Sequence, residues 1–294
     1  MQNLAKNVFK FTRFRCCVSS YCMSTAPSSD EFIFEKLTGD RDGIAIIGFN
    51  RPKARNAFSK NLVGAIAGTI DLLKFEKNIR CLIIRSYVPG IFCAGADLKE
   101  RAVMPQEEVG PFVAKLRKMV VEIQDLPMPT IAVLDGAALG GGLELALACD
   151  LRVAASSAKM GLVETKLGII PGGGGTQRLA RLIGPGLAKE LIFTGRVIDG
   201  TEAHRFGIVN QVTEQNKEGD AAFHKAMKLA EEIRTQGPVA LRMAKLAINN
   251  GLEVDITSGL AYEQAYYAQV IPTKDRLEGI QAFIEKRPPK FIGE

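Results

Sequence analysis

Apolar positions along the chain fall into two kinds of pattern. Short apolar runs at residues 44–49, 81–84, 130–134 and 151–154 predict buried strands, and a half-buried strand is expected at residues 32–37. Asn50-Arg51-Pro52 marks a turn after the second of these strands. Helical spacing instead places Leu62, Ile66, Ile70 and Leu73 on one face of a helix starting near Ser59. The same spacing relates Val109, Phe112, Val113, Leu116, Val120 and Ile123, with Pro127 and Pro129 closing that segment. Gly140-Gly141-Gly142 leads into a further helical run over residues 143–149. Strands alternating with helices argue an α/β fold. Beyond Thr201 the pattern is mainly helical, over residues 221–234, 239–249, 253–269 and 274–285. The change near residues 195–201 divides an expected core, residues 30–198, from a helical C-terminal region, residues 199–294.

Composition changes this picture at one end only. The balance of 47% hydrophobic and 24% charged residues is that of ordinary soluble globular chains, and no apolar run approaches the ~18 residues that span a bilayer. Residues 1–29 carry Lys6, Lys10, Arg13 and Arg15, several serines and no carboxylate. Such a start reads as a mitochondrial transit peptide, against the plainer reading of a disordered basic tail. Without those four charges the net charge falls from +6 to +2, so the basic balance is weak support for nucleic-acid binding. Cys16, Cys17 and Cys22 lie in that leader, while Cys81, Cys93 and Cys149 lack metal-ligand spacing and read as buried free thiols. His204 and His224 stand without a local triad or metal signature, so acid–base chemistry has to come from other groups.

Three segments can supply it. In Ala138-Leu139-Gly140-Gly141-Gly142-Leu143-Glu144, a strand, a glycine turn and a helix expose backbone amides that suit an anion, and Glu144 follows Gly141 by one helical turn. In Phe92-Cys93-Ala94-Gly95-Ala96-Asp97-Leu98-Lys99-Glu100, small residues again bare the backbone, and Lys99 is placed to meet phosphate. Two such loops together would clamp one thioester oxygen. The third segment holds Glu164 after Gly161-Leu162-Val163, followed by the glycine run 172–175 and Thr176-Gln177-Arg178. It matches neither a P-loop nor a dinucleotide fingerprint. Apolar neighbours would raise the pKa of Glu164. Taken singly, the glycine triplet also fits plain strand–helix packing, and Glu164 also fits a surface glutamate in a turn.

Taken together, residues 92–100, 136–149 and 161–178 resemble the signature segments of the enoyl-CoA hydratase (crotonase) superfamily, and residues 50–57 fit that family's first CoA-contacting loop. The resemblance runs in order from about residue 32 to the C-terminus. It implies a crotonase (ClpP-like) spiral of repeated β-β-α units and a helical C-terminal trimerisation region. It also implies a homotrimer or a hexamer of paired trimers, a mitochondrial matrix location, and no metal or redox cofactor, CoA entering as part of the substrate. By the same resemblance the amides of Ala96 and Gly141 form an oxyanion hole. Glu144 takes a proton from water as its oxygen attacks Cβ, and Glu164 protonates Cα. Lys53, Ala54, Arg55, Ala94, Asp97, Leu98 and Lys99 line the CoA groove, and Phe283 and Lys286 reach the CoA of the same or a neighbouring subunit.

Adding water requires both a base and an acid, so the presence of both glutamates favours hydratase over the family's isomerase, hydrolase and lyase chemistries. Within the family the resemblance is greatest to a branch acting on 3-methylglutaconyl-CoA in leucine degradation, with other short-chain enoyl-CoAs as the alternative. One relative also binds AU-rich RNA through lysines four apart on its first helix. The matching positions are Lys60, Gly64 and Gly68, so two of the three cations are missing, and RNA binding remains the weaker rival reading.

Overall fold

The computed structural model describes residues 31–294. The leader expected at residues 1–29 lies outside them. In chain order the first elements are β1 (Phe32–Lys36), β2 (Ile44–Phe49), α1 (Lys60–Leu73), β3 (Cys81–Ser86), β4 (Ile91–Cys93), α2 (Leu98–Ala102) and α3 (Gln106–Gln124). There follow β5 (Thr130–Leu134), β6 (Ala137–Leu139), α4 (Gly141–Ala148), β7 (Leu151–Ala155), β8 (Lys159–Gly161), α5 (Gly175–Ile183) and α6 (Pro185–Thr194). The chain closes with β9 (Ile198–Asp199), α7 (Gly200–Arg205), β10 (Gln211–Thr213), α8 (Ala221–Arg234), α9 (Pro238–Gly251), α10 (Ile256–Val270) and α11 (Lys274–Glu285).

The strands form two sheets. A six-stranded sheet runs β1-β2-β3-β5-β7-β10, antiparallel at β1–β2 and parallel thereafter. Its register lines up Ile46, Ile83, Ile131 and Leu151 on successive strands. Both faces are covered, which is why these strands read as apolar runs and not as alternating ones. Ile46, Ile83, Ile131 and Val153 pack against Ala222, Ala226 and Ala230 of α8, whose small side chains admit the helix closely. Leu82, Ile84, Ala132 and Leu134 face the larger core built with α1, α3 and α4.

The second sheet, β4-β6-β8-β9, was not expected from periodicity. Its strands hold two or three residues each, too few to show a period. It gives the fold its repeat. β3–β4, β5–β6 and β7–β8 each send one strand to each sheet before a helix, so successive turns stack as a spiral of β-β-α units. Past residue 200, β10 returns to the first sheet beside β7, while α9 and α10 pack on each other.

Polar side chains pin the ends of these units. Ser59 caps α1 by accepting from the Leu62 amide at 3.1 Å. Buried Arg152 donates to the carbonyls of Ile208 (2.6 Å) and Cys149 (2.7 Å), fixing the C-terminal end of α4. Lys245 of α9 donates to Asp150 at 2.8 Å, and Asp150 also accepts from the Thr130 amide at 2.7 Å. Burial pushes the thiols of Cys81, Cys93 and Cys149 up to about 12, so they stay protonated, as buried free thiols do. No helix among the described residues is long and apolar enough to cross a membrane. No group of three or more His, Cys, Asp or Glu that could hold a metal ion occurs among them.

Candidate active site

Parallel pairing of β6 with β8 brings the two glutamates to one place. Leu139 lies opposite Gly161, and the Gly140 amide donates to the Gly161 carbonyl at 2.8 Å. Glu144 follows β6 by one helical turn, and Glu164 follows β8 by three residues in a 3-10 turn, so both project from the same sheet edge. Glu144 is 2% exposed and Glu164 8% exposed. α4 begins at Gly141, two residues before the sequence places it, so the Gly141 amide is the first of that helix.

The two carboxyls have different surroundings. Glu144 Oε1 accepts from the amides of Gly173 (2.8 Å) and Gly175 (2.7 Å). Its Oε2 receives no donor among the described residues. Burial raises the pKa of Glu144, while the two amides and the charges of Arg178 and Arg117 oppose that shift. Glu164 has fewer compensations. Its Oε2 is buried without a hydrogen-bond partner among the described residues. Burial, reinforced by the negative charge of Glu144, pushes its pKa up to about 7. One carboxyl is thus held as an acceptor and the other is poised to keep a proton.

The glycines follow from this geometry. A Cβ on Gly173 would stand 2.9 Å from Glu144 Oε2, so only a bare backbone lets the loop close on the carboxylate. Gly95 takes φ +91°, and a Cβ there would meet Leu139 O at 2.8 Å and the Gly141 nitrogen at 3.2 Å. The second amide loop therefore lies directly against the first. Phe58 bonds on either side of Ala96, donating to Gly95 O (2.7 Å) and accepting from the Asp97 amide (3.3 Å). That leaves the Ala96 and Gly141 amides without acceptors among the described residues, next to the carboxyl pair.

The expected CoA-groove residues divide. Lys53, Ala54 and Arg55 sit on a turn held to the site by the Ala94 amide, which donates to Arg55 O at 3.1 Å. Lys53, Arg55, Leu98 and Lys99 are exposed at this rim. Asp97 is engaged internally: it caps α2 through the Lys99 and Glu100 amides and accepts from Arg51 at 2.8 Å. Phe283, 86% exposed, and Lys286 lie on and just after α11. That helix is tied through Asp275 to the C-terminal tail, and no bond joins it to the other site loops among the described residues. On α1, Lys60 is paired with Glu108, and Gly64 and Gly68 face open space, so no comb of free cations lines that helix.

Sequence reasoning assigned no role to three residues that organise the site. Buried Asn56, with φ +56°, donates to Ser86 Oγ (2.7 Å) and Phe92 O (3.0 Å), locking the first loop to β3 and β4. Arg178 donates to Gly173 O (3.0 Å) and Gln124 (2.8 Å), and Arg117 donates to Gly172 O (2.8 Å). These two arginines brace the loop that binds Glu144. No periodic signal marks such partners, because each bond spans an unrelated part of the chain.

Two buried carboxyls thus lie beside two amides that are free among the described residues, at one edge of a β-β-α spiral. The model for the enoyl-CoA hydratase/isomerase family matches residues 39–294, and the chain belongs to that family. It is similar to the human protein "Methylglutaconyl-CoA hydratase, mitochondrial", at 62% identity over 92% of this chain and 80% of that one. It is also similar to mouse "Enoyl-CoA hydratase domain-containing protein 2, mitochondrial", at 54% identity over 97% of this chain and 95% of that one. Among solved structures, enoyl-CoA hydratase from Bacillus anthracis superposes with a TM-score of 0.86 at 46% identity, over 90% of this chain and 100% of that one.

Proposed function

We propose that this chain is a mitochondrial matrix enoyl-CoA hydratase whose substrate is 3-methylglutaconyl-CoA and whose product is 3-hydroxy-3-methylglutaryl-CoA. The observation that carries the reading is the pair of buried carboxyls, one held as a doubly bonded acceptor and one with its pKa near 7, beside two free amides. The thioester carbonyl accepts from the Ala96 and Gly141 amides, which stabilise the negative charge that grows on its oxygen. Glu144, its Oε2 open to water, removes a proton as the water oxygen bonds to Cβ. The double-bond electrons move into an enolate, and Glu164 delivers its proton to Cα. Dehydration runs the same steps in reverse. Lys53 and Lys99 offer cations to CoA phosphates, Ala54, Arg55, Ala94 and Leu98 line the groove, and Asp97 holds its wall through Arg51.

CoA enters as substrate, and the chemistry assigned here calls on no metal or redox cofactor. The core of residues 30–198 carries the site, and the helical region 199–294 carries assembly into a homotrimer or a hexamer of paired trimers. Support for that assembly is the apolar surface of Ile248, Leu252, Leu260, Ile280, Phe283 and Ile284, exposed on and beside α9–α11. In an assembly, Phe283 and Lys286 would reach a CoA bound by the same or a neighbouring subunit.

Glu144→Gln and Glu164→Gln are each expected to abolish hydration of 3-methylglutaconyl-CoA while CoA-thioester binding persists. Unchanged turnover in both variants would refute the mechanism. A wild-type preference for crotonyl-CoA over 3-methylglutaconyl-CoA would refute the substrate.

A further inference from the structure

Three arginines stand on the helices around the glutamate pair: Arg101 on α2, Arg117 on α3 and Arg178 on α5. Arg178 and Arg117 are committed to loop carbonyls. Arg101 is different. It is the fourth residue of α2 and is half-buried, and it makes no ion pair among the described residues. Its guanidinium lies over the face of Phe112, 4.9 Å from the ring centroid, and Nη1 stands 3.9 Å from the Met104 sulfur. Burial lowers its pKa with no carboxylate near enough to oppose the shift. A partly desolvated cation resting on an aromatic ring, with five donors and no anion, is a costly arrangement unless a ligand completes it.

Its location shows which part of a ligand would do so. α2 starts immediately after Ala96 and Asp97, so Arg101 stands about one helical turn from the oxyanion loop, with its guanidinium turned toward Met104 and Phe112. It is five residues beyond Ala96 and three beyond the first residue of α2. On the far side, Val113 follows Phe112 in α3, and its Cγ1 lies 2.8 Å from where a Cβ of Gly172 would stand. Gly172 opens the loop that holds Glu144. Arg101 therefore stands where α2, which follows the thioester-oxygen donors, meets α3, which abuts the loop holding the general base, against an apolar wall of Phe112 and Met104. An extended five-carbon acyl chain whose C1 sits at the amides places its C5 roughly 5 Å away.

We infer that Arg101 binds the second carboxylate of the substrate's acyl chain and sets the preference for dicarboxylic enoyl thioesters over neutral ones. The inference rests on the substrate assigned under the proposed function. A guanidinium fork matches a carboxylate bidentately, and the Phe112–Met104 wall accommodates the methyl branch. Arg101 then acts on specificity, whereas Glu144 and Glu164 act on the reaction itself.

The test compares kcat/KM for 3-methylglutaconyl-CoA and crotonyl-CoA in the wild type, Arg101→Met and Arg101→Lys, each as the full mature chain. In Arg101→Met the ratio of the two values is expected to fall about 100-fold, since one partner of a desolvated charge pair is lost. Arg101→Lys keeps the charge without the fork and is expected to fall in between. A folding defect lowers both rates together and leaves the ratio in place, so an unchanged ratio in both variants overturns the inference. Should Arg101→Met fail to fold, the Arg101→Lys ratio decides alone, a fall of less than threefold counting against the inference. A wild type that prefers crotonyl-CoA removes the substrate assignment and this inference with it. A wild type that prefers the dicarboxylic thioester, with variants of unchanged ratio, removes Arg101 only.

Discussion

Replacing Glu164 by Gln removes a titratable group whose neutral form the fold already favours. The carboxyl is 8% exposed, has one oxygen buried without a partner among the described residues, and has its pKa pushed up to about 7, against the ordinary 4.5. Between pH 4.5 and 7 the native chain binds more protons at this site than the unfolded chain, so stability falls as pH rises through that window. Once both states are ionised, above pH 7, the ionised Glu164 costs about 3 kcal/mol of folding free energy. Glutamine keeps the shape and loses the titration. Denaturant unfolding of the wild type and Glu164→Gln at pH 5 and pH 8, at one protein concentration, measures the difference. The advantage of the variant is expected to grow by about 2 kcal/mol from pH 5 to pH 8. Any steric or hydrogen-bonding effect of the amide is the same at both pH values and cancels. An advantage independent of pH, or a wild type that gains on the variant as pH rises, would refute the reasoning.

Two further outcomes follow from the loop that holds Glu144. In Gly173→Ala the new Cβ stands 2.9 Å from Glu144 Oε2, so the carboxylate must give way while the backbone stays, and kcat is expected to fall about 100-fold with little change in the thermal midpoint. Arg178→Met removes both the brace on Gly173 O and a cation that holds down the pKa of Glu144. In that variant the acidic limb of the pH–kcat profile is expected to move to higher pH, and kcat to fall about 10-fold with KM nearly unchanged.

Much of this arrangement was legible in the sequence where the physics is local. The buried strands of the first sheet declared themselves as apolar runs because both faces are covered, and α1, α3 and α8–α11 did so through their spacing. Ser59 was readable as a helix start because capping involves neighbours only three residues apart. β4, β6, β8 and β9 were not, since two or three residues carry no period and their stability comes from partners elsewhere. α5 begins inside the glycine run that reads as a turn, because tertiary contacts to Glu144 outweigh the low helix propensity of glycine.

By itself the sequence determined the α/β class, the family signature, and which two glutamates and which two amides to consider. Periodicity is enough for the class, whereas the two amides and the pairing of the two glutamates came through the family resemblance and not from spacing. Only the tertiary structure decided that Glu144 and Glu164 share an edge, because their meeting depends on β6 pairing with β8. It also decided that burial lifts the pKa of Glu164 to about 7, that Asp97 serves Arg51 and α2, and that Arg101 stands without an anion among the described residues. Burial, charge and unmet hydrogen bonds are sums over neighbours from many segments, and a linear pattern does not contain those sums.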